Sequence, residues 1–118
     1  MRRDAQRLID IVEAASVVAR YIHELTKDEF FAGGIPHDAI LRQMTVAGEA
    51  AYKVSREIKA RHQEIPWSQI AGFRHRLVHD YFGLDMDAVW HIATVELPFL
   101  RDQVIALLAS EFPGEHPG

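Results

Sequence analysis

The most restrictive feature of this chain is its apolar spacing. Four stretches carry apolar residues alternately three and four apart, and none shows convincing period-two alternation. In the first, Leu8, Ile11, Ala15, Val18, Ile22 and Leu25 line one face of a helix running from near Asp4 to Leu25. In the second, Ile40, Met44, Ala47, Ala51, Val54 and Ile58 do the same between about Asp38 and Lys59. The third opens at Pro66 and carries Ile70, Phe73, Leu77 and Tyr81. The fourth is expected to be capped by Asp85 and carries Trp90, Ala93, Leu97, Leu100, Val104 and Leu107. Such a pattern predicts an all-α fold, an antiparallel bundle of four to five helices.

The punctuation between these stretches is equally local. Gly33-Gly34 interrupts the segment Thr26 to Pro36, which is expected to be a loop with one helical turn at Asp28-Glu29-Phe30-Phe31. Pro98 falls inside the fourth pattern and should kink or split that helix, because it lacks an N–H and its ring crowds the preceding turn. The small residues Gly48, Ala50 and Ala51 would let a second helix approach closely. One domain over residues 1–112 is expected, followed by a flexible tail at 113–118 with two prolines and two glycines.

Composition narrows the function. No apolar run approaches the roughly 18 residues a membrane span needs, and no apolar signal region follows Met1-Arg2-Arg3-Asp4. With no cysteine there is neither a disulfide framework nor a thiolate metal site, which points to a reducing, cytoplasmic setting. The net charge of −4 argues against indiscriminate coating of nucleic acid. Its distribution is uneven, however. Between Lys53 and Arg76 lie Lys53, Arg56, Lys59, Arg61, Arg74 and Arg76 against only Glu57 and Glu64. A basic patch on an acidic body can focus a polyanion, although solvated helix faces would give the same count.

Helix three contains an anomaly. On an ideal helix Trp67, Ile70, Ala71, Leu77, Val78 and Tyr81 all fall within about 60° of Arg74. A permanently charged guanidinium thus sits in an apolar stripe, where leaving it unpaired is very unfavourable. Its partner would be a carboxylate across the bundle such as Glu49, a subunit interface, or a cleft that admits an anion. The first of these, with no open groove nearby, would count against catalysis. His75 and His79 share a face beside that stripe and supply proton-transfer groups near neutral pH. Histidines spaced this way can also hold zinc, but no glutamate follows the first and no third ligand is evident, so no metal or other cofactor is expected. A cofactor site using His23, His79 and His91 has nothing in their spacing to require it.

Arg74, His75, Arg76, His79 and Tyr81 together suit phosphate and proton chemistry. Neither a nucleophilic Ser or Cys with a clear base nor a Gly-rich phosphate loop is present. RNA, which carries its own 2′-hydroxyl nucleophile, fits that inventory.

The run Arg74-His75-Arg76-Leu77-Val78-His79-Asp80-Tyr81 resembles the R-x4-H-x-Y motif of HEPN-domain ribonucleases. Gly48-Glu49-Ala50-Ala51, Ile65-Pro66-Trp67, Val89-Trp90 and Leu97-Pro98 are similar to landmarks of the HepT toxin branch, so the resemblance covers about residues 4–108. It implies a homodimer whose two motifs face each other across a cleft and cleave RNA without metal. It implies that Arg74 holds the scissile phosphate and that His79 acts as general base or acid. It also implies a toxin neutralised by a minimal nucleotidyltransferase antitoxin that modifies Tyr81 with AMP. The position after the motif arginine, most often Asn in that family, is His75 here, which makes it a candidate second base. The alternative is a non-catalytic HEPN-like module that binds nucleotides or partners, with Arg74 as a phosphate anchor or interface ion pair.

Overall fold

The computed structural model describes residues 2–117; Met1 and Gly118, at the outer ends of the expected domain and tail, lie outside the described residues. Four long helices arise where the apolar spacing places them. They are α1 (Arg2–His23), α3 (Ile35–Lys53), α5 (Trp67–His79) and the C-terminal α7 (Leu97–Glu111), with short helices α2 (Lys27–Phe31), α4 (Arg56–Arg61) and α6 (Met86–His91) between them. Among the described residues there is no strand, and no helix is long and apolar enough to cross a membrane.

The core follows from the stripes. α1 buries Leu8, Ile11, Ala15 and Val18 between α3 and α7, which present Ile40, Met44 and Ala51, and Leu100, Val104 and Leu107. α5 packs on the other side of α3, so the long helices stand in the order α7, α1, α3, α5. Cross-helix bonds show that neighbours run antiparallel. Asp4 at the start of α1 meets Ser55 just beyond the end of α3, and His37 at the start of α3 meets Tyr81 just beyond the end of α5.

The expected turn within Thr26 to Pro36 is α2, held by a reciprocal cap. Thr26 Oγ1 accepts from the Glu29 N–H at 3.1 Å, and Glu29 Oε1 accepts from the Thr26 N–H at 2.9 Å. Phe30 of this turn is fully buried. Asp85 caps α6 as expected, its side chain accepting from the Asp87 and Ala88 N–H groups.

The expected single helix from Asp38 to Lys59 is in fact two. The chain becomes extended at Val54 and Ser55, and α4 starts afresh. The cause lies far away along the sequence. The Asp4 carboxylate, 4% exposed, accepts from Ser55 N–H at 2.8 Å and from Ser55 Oγ at 2.6 Å. Ser55 Oγ also accepts from the Ile58 N–H, so one residue leaves α3, ties it to α1 and caps α4.

Pro98 produces the expected disruption in a particular form. Residues Ile92–Glu96 make a π turn, and the Leu97 N–H bonds back to the Ile92 carbonyl. Widening the ladder just ahead of Pro98 accommodates a residue that cannot donate to the Thr94 carbonyl. At the far end of α7, Glu111 accepts from Arg61 Nε and Nη2, each at 2.9 Å, and pairs with His62 Nε2 at 2.7 Å.

Two predictions follow from these ties. Asp4→Ala strands the Ser55 donors and is expected to cost roughly 2–3 kcal/mol in urea unfolding. The Arg61 hydrogen bonds, and then His62, hold the Glu111 carboxyl down to about 2 from an ordinary 4.5. Because the folded value is depressed, this tie contributes fully above the ordinary value and is lost as pH falls through about 2. Thermal melts across that window should therefore show a shallower acid dependence for Glu111→Gln than for the native chain.

Candidate active site

The site begins with how closely α5 approaches α3. A Cβ built on Gly48 would collide with the Cβ of Arg74 and lie 3.0 Å from its Cγ. Any larger residue at position 48 would push the helices apart, so here glycine serves the close approach of two helices. With its stem pressed against α3, Arg74 reaches the neighbouring carboxylate. Nε and Nη2 each lie 2.7 Å from Glu49 Oε2, while Glu49 Oε1 is 3.6 Å from Lys53 Nζ.

This pair is the own-chain carboxylate that the sequence reading set against a catalytic role, and by itself it accounts for where Arg74 sits. It does not seal the guanidinium, whose side chain remains 28% exposed. Glu49 takes one edge only, formed by Nε–H and one Nη2–H. The other Nη hydrogens meet no acceptor among the described residues. An arginine in this state can still offer two parallel N–H groups to an oxyanion.

The apolar stripe around Arg74 is only partly covered by its own chain. Trp67 and Leu77 are buried, but Val78 and Tyr81 are exposed, and Phe82 just beyond is 99% exposed. Beside α5, Ile70 and Phe73 face Met44, Ile92, Leu97 and Leu100 across an open apolar cleft of about 310 Å³.

The histidines lie elsewhere on the same helix. His75 and His79 are exposed and stack, with ring centroids 4.5 Å apart and planes at 43°. No carboxylate or carbonyl orients either ring among the described residues. Arg74 and His79 are not bonded to one another, and five residues on a helix separate their directions by about 140°. Within one chain, Arg74 turns toward α3 and His79 turns away from it.

Arg76 is exposed, and its Nη2 donates to the Gly83 carbonyl at 3.5 Å, bracing the turn that follows α5. Tyr81 opens that turn, the short 3-10 segment Tyr81–Gly83, and its hydroxyl lies 3.3 Å from His37 Nε2. His37 is 5% exposed and its Nδ1 lies 2.9 Å from the Phe30 carbonyl oxygen. Sequence reasoning missed His37. It stands alone after Pro36, outside every motif, and only the docking of α3 against α5 brings it to Tyr81.

The basic segment is also partly spent internally. Lys53, Arg61 and Arg74 are paired to Glu49 and Glu111. Lys59 donates to the Tyr52 carbonyl and lies over the rings of Tyr52 and Trp67, where burial lowers its pKa. His23, His79 and His91 are not brought together: among the described residues no three His, Cys, Asp or Glu gather as metal ligands would.

Comparison with known proteins places this geometry in context. Residues 11–107 match the model of the family described as Ribonuclease HepT-like. A protein of Thermococcus cleftensis named "Probable ribonuclease HepT" is 31% identical over 94 residues, which are 80% of this chain and 86% of that protein. A "Putative RNase" of Caldanaerobacter subterraneus subsp. tengcongensis is 27% identical over 111 residues, 94% of this chain and 99% of that protein. A "Gamma-glutamylcyclotransferase and putative RNase" of Methanocaldococcus jannaschii is 28% identical over 109 residues, 92% of this chain; the chain spans 49% of its length. No solved structure matches.

The contact at Gly48 can be tested against a second glycine. Gly48→Ala should cost about 1–3 kcal/mol through overpacking. Gly72→Ala, where an added Cβ meets nothing within 4 Å, should instead stabilise α5 by up to about 1 kcal/mol. Urea unfolding of the two variants gives both signs.

Proposed function

Because the chain belongs to the HepT-like ribonuclease family, we propose that it is a metal-independent endoribonuclease that cleaves RNA by attack of the substrate's own 2′-hydroxyl. The observation that supports this most directly is Arg74: a guanidinium clamped on one edge by Glu49 and free on the other, within the R-x4-H-x-Y run. The free edge would hold the scissile phosphate and stabilise charge developing on its oxygens. His79 would take the 2′-hydroxyl proton or return one to the departing 5′ oxygen. His75, stacked on it, is the candidate second base. The products would be a 2′,3′-cyclic phosphate and a 5′-hydroxyl.

The finer reading is of a cytoplasmic toxin acting as a homodimer. Supporting it are the uncovered side chains Val78, Phe82 and Phe99, which a second copy would cover. The divergence of Arg74 and His79 on one helix also favours two copies, since a facing motif would complete the site. An antitoxin of the minimal nucleotidyltransferase type would silence the site by attaching AMP to Tyr81. The added negative charge would then oppose RNA phosphates near the motif. Tyr81 is exposed on the turn directly after α5, within reach of such an enzyme.

One observation favours a second reading. The Arg74–Glu49 pair is what a non-catalytic binding module would use to keep its interface arginine satisfied.

Cleavage of RNA in the presence of EDTA decides between them. Arg74→Ala and His79→Ala should each lower cleavage by about 10²–10⁴-fold with helical circular dichroism unchanged. His75→Ala apportions the proton-transfer role. Undiminished cleavage by both of the first two variants would refute the assignment of the site, and an inert native chain would favour the binding module.

A further inference from the structure

The buried histidine behind Tyr81 lies outside the R-x4-H-x-Y run, yet its hydrogen bonds define its tautomer. A carbonyl oxygen can only accept, so the 2.9 Å bond to the Phe30 carbonyl requires His37 Nδ1 to carry a hydrogen. In the neutral ring Nε2 then bears a lone pair, and the Tyr81 hydroxyl, 3.3 Å away, is the donor to it. The ring cannot easily turn out of this arrangement. It is 5% exposed and lies against Phe30, with centroids 4.6 Å apart and planes at 33°, and Phe30 in turn rests on Trp90. The carbonyl therefore fixes the tautomer, the tautomer fixes the acceptor, and the acceptor is aimed at a half-exposed phenol.

We propose that His37 is the proton acceptor that makes Tyr81 a nucleophile toward electrophilic phosphoryl and acyl groups. This deepens the reading of Tyr81 as the modified residue and rests on it for its biological use. With a nucleoside triphosphate as donor, Tyr81 Oη bonds to the α-phosphorus and the bond from that phosphorus to the bridging oxygen breaks. Pyrophosphate leaves, and the phenolic proton passes to His37 Nε2. The resulting imidazolium keeps its Nδ1–H on the Phe30 carbonyl, a bond that strengthens as the ring becomes charged. Tyr52, more exposed at 63%, has its ring beside the Lys59 ammonium and meets no imidazole acceptor among the described residues. Exposure and activation are thus separated between the two tyrosines.

The experiment needs neither RNA nor a partner enzyme, so its failure is distinct from failure of the nuclease or antitoxin readings. The native chain is treated with N-acetylimidazole, and acetylation of each tyrosine is followed by peptide mass spectrometry, with Tyr52 as internal reference. Tyr81 should react faster than Tyr52 despite its lower exposure. His37→Gln keeps a hydrogen-bond acceptor near the Nε2 position but no basic nitrogen, and should slow Tyr81 on the order of a hundredfold while leaving Tyr52 unchanged. Nitrogen-15 spectra of the native imidazoles give an independent reading that does not require the variant to fold. They should show the Nδ1–H tautomer of His37, and its Nε2 resonance should move in Tyr81→Phe. Equal reactivity of the two tyrosines, no effect of His37→Gln, or hydrogen on Nε2 would each overturn the proposal.

Discussion

The contact of α3 with α5 at Gly48 is the constraint on which the candidate site depends. Only a glycine lets the backbone of α3 come against the stem of Arg74. That proximity hands the guanidinium to Glu49, the next residue along α3. A charge embedded in an apolar stripe is thereby satisfied on one side without being buried, which leaves the other side able to meet an anion. Beyond that contact, Ile70 and Phe73 of α5 pack only in part against the core and line an open cleft. Of the four long helices, the one that carries the motif buries the fewest residues, Trp67 and Leu77, within its own chain.

Two polar ties at opposite ends hold the frame in which that contact occurs. Asp4 grips Ser55 at one end, and His37 bridges the Phe30 carbonyl and Tyr81 at the other. Each joins segments far apart in sequence, and each is buried or partly buried, where a lost bond is costly. The second has a double consequence. It fastens the turn after α5 to the start of α3, and it fixes the proton on His37. The docking of the turn and the proposed reactivity of Tyr81 then rest on one hydrogen-bond chain.

The charge distribution takes a different meaning once the partners are known. The segment from Lys53 to Arg76 reads as a basic patch, but Glu49 and Glu111 draw three of its cations into the structure. On the proposed reading an RNA would meet the free edge of Arg74, the exposed Arg76 and the stacked pair His75 and His79, with Arg56 exposed separately on α4. Under that reading, few free cationic groups on a chain of net charge −4 would recognise one phosphate in a defined geometry rather than a long electrostatic track.

Helix positions, the cap at Asp85, the disturbance ahead of Pro98 and the motif inventory of Arg74, His75, Arg76, His79 and Tyr81 were legible in the sequence. They depend on periodicity, on the geometry of single residues and on spacing along one chain segment, all of which are local. The break at Ser55 was not legible, because the apolar period runs through it unbroken and its cause is a carboxylate 51 residues away. Nor was the role of His37, an isolated histidine whose partners come from two other segments. The choice among partners for Arg74 was likewise left open until α5 docked on α3. Sequence alone determined which helices form and which chemical groups the chain possesses; the tertiary structure decided which of those groups meet, because hydrogen bonds and ion pairs between distant segments exist only where helix packing brings donor and acceptor within about 3 Å.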